Sequence, residues 1–161
     1  MKKILPLIVA LSLLSLTGCD KQKKTKEFNN YMNKARAVMM EAANHMRKST
    51  SWFNKFNPKA ADKYKTGIKA KITEMEALKA KMSALSVPND EIGAFKKIHV
   101  EMVEVMVNIY KTWDEIVNTT DPKKIKEVQK KAMELQKKVQ KLTKDEEDLR
   151  QKYIKKHGLK G

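Results

Sequence analysis

The sequence predicts an all-α fold, an antiparallel up-down four-helix bundle with long helices behind a cleaved signal peptide, and three observations predict it. Apolar residues recur at alternating steps of three and four along most of the chain, the period of one helix face. The prolines of the body fall at three breaks, Asn57-Pro58, Val87-Pro88-Asn89-Asp90 and Thr119-Thr120-Asp121-Pro122. Nowhere do β-branched residues alternate with polar ones over a useful length, so strand signals are missing. Five glycines and four prolines fit the same picture, because the Lys, Glu, Ala, Leu and Met that dominate instead lose little freedom in a helix.

In chain order, residues 1–18 come first as an export signal. Lys2 and Lys3 precede the mostly apolar run from Ile4 to Leu16, which is shorter than the roughly 20 residues needed to cross a bilayer and has the length of a secretory apolar region. The run ends at Leu16-Thr17-Gly18-Cys19, which holds the one cysteine of the chain. This motif resembles the lipobox of bacterial lipoproteins. The resemblance implies a diacylglycerol on the Cys19 thiol, cleavage between Gly18 and Cys19, and a further acyl group such as palmitate on the new amino terminus. Two acyl chains suffice for durable anchoring at about 0.8 kcal/mol per buried CH₂. Aspartate after the cysteine, here Asp20, resembles the inner-membrane retention signal of enterobacterial lipoproteins. The expected address is therefore a membrane face outside the cytoplasm. Residues 19–26 form a basic tether.

The body, 27–157, divides at the breakers into four segments. The first carries Phe28, Met32, Ala35, Met39, Ala42, Met46, Ser49, Phe53 and Phe56 on one seam. The second carries Ala61, Tyr64, Ile68, Ile72, Met75, Leu78, Met82 and Leu85. The third carries Ile92, Phe95, His99, Met102, Met106, Ile109, Trp113 and Ile116, with enough flanking valines to make it the most buried. The fourth carries Ile125, Val128, Ala132, Leu135, Val139, Leu142, Glu146, Leu149 and Tyr153. Seams of this kind belong to helices packed at shallow angles, and short connections turn neighbours back on each other. An extended coiled-coil dimer is the alternative. Asn57, Asn89 or Asp90, and Asp121 are expected N-caps. Gly158 is the expected C-cap, with a disordered tail at 158–161.

No nucleophile elbow, phosphate loop, zinc motif or haem attachment site is present, and the expectation is a protein that is not an enzyme and needs no cofactor. A carboxylate di-iron site is rejected because Glu41 and His45 have no second such pair. Nine methionines remain after the leader. His99, Met102 and Met106 share a helix face and suit a soft metal such as copper, with His45 and Met46 as candidate neighbours across the seam. The plainer reading of the same residues is adaptable core filling. The mature chain has 33 basic and 19 acidic residues, and Lys123, Lys130, Lys137, Lys138 and Lys141 lie in its most basic stretch. Export removes the chain from nucleic acid. The expected function is thus a non-enzymatic interaction module of the envelope, meeting an anionic or protein partner through this basic surface, with a metal-binding carrier as the second reading.

Overall fold

The computed structural model describes the backbone of residues 5–159 and the side chains of 21–159, Pro58 excepted. Four helices account for nearly all of it: α1 Leu5–Phe53, α2 Ala61–Ser83, α3 Asp90–Val117 and α4 Pro122–His157. Among the described residues there is no strand. None of the helices is long and apolar enough to cross a membrane among the described residues. The expected leader at 1–18 and the lipid site at Cys19 lie outside the described side chains. The tether at 21–26 continues α1 without a break.

The breakers act where their chemistry directs. Asn89 Oδ1 accepts from Ile92 N at 3.0 Å, satisfying one of the orphan donors that open α3. Asp121 Oδ1 accepts from Lys123 N at 2.9 Å, and Pro122 occupies the first turn of α4, where its missing N–H costs nothing. Gly158 ends α4 in the left-handed region at φ 59°, and Leu159 N donates to Ile154 O. Asn57 differs from expectation. Its side chain accepts from Lys59 N and caps the 3-10 turn Pro58–Ala60, so α2 begins at Ala61 without a side-chain cap. Residues 160–161 lie outside the described part, while Leu159 packs half-buried against the core.

The third helix is central, as its composition predicts. It buries fourteen residues, including Phe95, Val103, Tyr110 and Trp113, and packs on all three other helices. Pairings across the helices fix their relative heights. Glu41 meets Lys81, His45 meets Glu74, and the ring of Trp52 packs tilted against that of Tyr64 between α1 and α2. Glu104 meets Lys79 and Glu76 meets Lys111 between α2 and α3. Glu91, Glu101 and Glu115 of α3 meet Lys156, Lys138 and Lys131 of α4. Such exposed pairs contribute little individually. Their value here is to report register.

The seam of α1 is rotated from the predicted one. Phe28, Tyr31, Ala35, Val38, Ala42 and Ser49 are buried, whereas Met32, Met39 and Met46 are half-buried at the edge. The cause is that α4 packs closely on α3 and much less on α1. The methionine side of α1 therefore faces a gap. On α4 the predicted seam does point inward, but only Val128, Leu142 and Tyr153 are fully buried.

Candidate functional site

Three features of this frame bear on function: polar pairs in the α1–α3 core, cavities in the α1–α4 gap, and a lysine stripe on the outside of α4.

The core pairs are reciprocal. Tyr31 of α1 is 2.9 Å from Nδ1 of His99 on α3, and Tyr110 of α3 is 2.8 Å from Nδ1 of His45 on α1. His45 Nε2 continues to Glu74 of α2 at 2.5 Å. The third histidine, His157, meets Glu91 at 2.8 Å and lies against the Tyr153 ring. Burial dominates the electrostatics. It holds His99 at a pKa of about 4, hence neutral near pH 7, and raises the Tyr31 phenol well above its ordinary range. It also pushes Tyr110 up to about 12. These groups are arranged to remain unionised. Their hydrogen bonds give the core polar specificity.

Two cavities follow one another along the α1–α4 gap over a floor of α3. The first, about 290 Å³, is bordered by Met32 and Met39 from α1, His99 and Met102 from α3, and Glu146 and Arg150 from α4. The second, about 300 Å³, is bordered by Met46, Met106, Trp113 and the amides Gln136 and Gln140. The expected trio is thereby divided: His99 and Met102 share the first cavity, while Met106 belongs to the second. His45 joins neither, being turned toward Tyr110 and Glu74. Glu146, the acid inside the α4 seam, has its carboxyl pKa raised by burial, and its Oε1 is buried without a hydrogen bond among the described residues. A larger cavity of about 740 Å³ opens on the other side of α3, with Val87, Val100, Val105 and Leu135 beneath Lys96, Lys97 and Lys138.

The basic residues fall into a more regular order than their count suggests. Lys123, Lys126, Lys130, Lys137, Lys141 and Lys144 follow steps of three, four and seven along the exposed face of α4. Met133 fills the gap in the series at 56% exposure. Lys138 lies off this line and is neutralised by Glu101 at 2.7 Å, and Lys131 is likewise held by Glu115. No described residue forms an ion pair with Lys123, Lys130, Lys137 or Lys141. Glu127 and Glu134 stand beside the stripe on the same helix. Nine lysines against two glutamates between residues 122 and 144 leave this half of α4 strongly positive.

Sequence reasoning missed Tyr31, the pairing of Tyr110 with His45, and the place of Met32 and Met39. The signal for the methionines was present as a seven-residue spacing shared by Met32, Met39 and Met46, but spacing alone does not distinguish the centre of a seam from its edge.

A sequence model of the family described as "Uncharacterised lipoprotein PM1805" matches residues 20–155. No curated protein and no solved structure matches the chain.

Proposed function

The chain belongs to that lipoprotein family, and on this premise we propose that it is a non-enzymatic interaction module, tethered through acylated Cys19 on the outer side of the inner membrane. The lysine stripe of α4 engages an anionic partner. The single observation that carries this reading is the stripe itself: six lysines in register on an exposed face, with the charges of Lys123, Lys130, Lys137 and Lys141 left unpaired by the rest of the described chain.

The path of the chain gives the stripe a direction. Pair order between successive helices supports an up-down-up-down course, in which α1 rises from Cys19 and α4 returns toward it. Lys21 lies beside Gly158, so the end of α4 comes back to the tether. Phe28 stacks on Tyr153, nine residues and about 14 Å along α1 from Cys19. The stripe begins at the opposite end of the bundle, tens of ångströms from the anchor at 1.5 Å per residue. Its partner is then an acidic protein or an anionic envelope polymer lying out from the bilayer. The three histidines, each engaged by a tyrosine or a carboxylate, support a structural rather than a catalytic use of those side chains.

The test is retention of the detergent-solubilised lipoprotein on envelope extract at graded salt, beside a variant carrying Lys123→Glu, Lys130→Glu, Lys137→Glu and Lys141→Glu. Binding that fades as salt shortens the Debye length from about 10 Å at 0.1 M to 3 Å at 1 M, and that the variant lacks, supports the reading. Equal retention of both proteins at all salt concentrations overturns it.

A further inference from the structure

Two sets of methionines in this chain differ sharply in their surroundings. Met75 and Met82 are fully enclosed in the core, as fillers are. Met32 and Met39 are half-buried and border a cavity, together with Met102 and the ring of His99. Filling does not account for the second group, because its side chains line a space.

We propose that Met32, Met39, His99 and Met102 form a binding site for one soft monovalent metal ion of the Cu(I) class. Thioether sulfur and neutral imidazole are the donors such ions prefer. Met32 and Met39 are seven residues, or about 10 Å, apart along α1, and the unbranched methionine side chain has the reach to converge on an ion between them. Met39 already packs against the apolar cluster containing Met102, and His99 is one turn from Met102 on α3.

The imidazole is prepared for this role by its partner. Its Nδ1 is engaged by Tyr31 at 2.9 Å, whereas no described residue hydrogen-bonds Nε2. When Nδ1–H donates to the Tyr31 oxygen, the Nε2 lone pair is free for a metal, the usual outer-sphere arrangement of a ligating histidine. The rim supplies few oxygen donors for a hard divalent ion. Glu146 is the one carboxylate bordering the cavity, and the guanidinium groups of Arg36 and Arg150 stand beside it. Arg150 is itself paired with Glu147, so the rim carries no large excess of positive charge.

The site is independent of whatever the lysine stripe engages. The test is titration of the detergent-solubilised full lipoprotein with Ag(I) and with Cu(I) buffered by a competing chelator, Cys19 being alkylated wherever it is bare. Methyl resonances of ¹³C-labelled methionine provide the site-specific readout. One equivalent is expected to bind, shifting the Met32, Met39 and Met102 methyls and leaving Met75 and Met82 in place. Met32→Leu with Met39→Leu retains the apolar volume and is expected to weaken binding by at least the roughly 10- to 100-fold that follows loss of an outer-shell partner. Met106→Leu is expected to change nothing. Absence of saturable binding, or equal affinity in the Met32→Leu/Met39→Leu variant with its fold confirmed by circular dichroism, overturns the assignment.

Discussion

Tyr31 and His99 are 68 positions apart in the chain and 2.9 Å apart in the fold, a buried hydrogen bond joining the first helix to the third. A second bond of the same type, with the residue types exchanged between the helices, joins Tyr110 to His45 farther along. Each satisfies a polar group that would otherwise cost about 1–3 kcal/mol to bury. Together they specify which faces of α1 and α3 meet, something methionines and valines do only loosely.

Stability is expected to fall as pH drops from about 6.5 toward 4. Unfolded, His99 takes up a proton below its ordinary 6.5; folded, it resists protonation down to about 4. Its contribution is therefore complete above 6.5 and is lost as pH falls through that window, at a total on the order of 3 kcal/mol. Glu146 acts in the opposite sense, since burial raises its pKa and the folded state takes up that proton more readily. Urea midpoints of the parent and of His99→Gln across pH 4–7 separate the two. Parallel profiles for the two proteins would count against the assignment to His99.

Tyr110→Phe is expected to cost about 1 kcal/mol, the ordinary net value of one hydrogen bond, because His45 is half-buried and water reaches part of the ring. The informative quantity is the coupling to Glu74, which holds the other nitrogen of the same imidazole. Combining Tyr110→Phe with Glu74→Gln is expected to cost less than the two single effects added together. Strict additivity in a double-mutant cycle would mean that the relay does not act as a unit.

Much of the architecture is readable from spacing, and the parts that are not share a cause. Periodicity locates all four helices, and the cap chemistry of Asn89, Asp121 and Gly158 locates their ends. The density of apolar residues in α3 identifies the central helix. Spacing does not say that α4 sits closer to α3 than to α1, and this asymmetry turns Met32, Met39 and Met46 from seam residues into groove residues. The hydroxyl partners of Tyr31 and Tyr110 escape notice for a related reason. A tyrosine beside a seam has the same pattern whether its hydroxyl reaches water or a histidine. Counting lysines along α4 groups Lys138 with its unpaired neighbours, since only the adjacent helix shows that Glu101 neutralises it.

Glu146→Leu is expected to stabilise the protein at neutral pH by about 1–3 kcal/mol. The residue occupies an inward position between Leu142 and Leu149, and its Oε1 is buried without a hydrogen bond among the described residues. Leucine removes the desolvated charge and continues the seam. Arg150 retains Glu147, so the substitution does not strand that guanidinium. A higher urea midpoint at pH 7, with the gain shrinking at acid pH where the parent carboxyl is protonated, is the expected pattern. A loss of stability would show that the attraction of Arg36 and Arg150 for this carboxylate outweighs its burial.

Gly67→Ala is expected to destabilise, although alanine is the better helix former. Two effects oppose each other in the middle of α2. Replacing glycine within a helix contributes about 0.8–1 kcal/mol through propensity. A Cβ at residue 67 would, however, stand 2.7 Å from Cζ2 of Trp52, closer than carbon atoms tolerate. Trp52 has little room to withdraw, because its ring lies 4.7 Å from that of Tyr64 and has the Lys71 ammonium 5.1 Å above it. Overpacking of this kind costs about 1–3 kcal/mol, so the steric effect exceeds the propensity gain. The expected result is a net loss of about 1 kcal/mol with a changed Trp52 emission, read by fluorescence-detected unfolding against Trp113→Phe as background. A Gly67→Ala variant that is more stable, with unchanged emission, would mean that the indole is not held against α2 in solution.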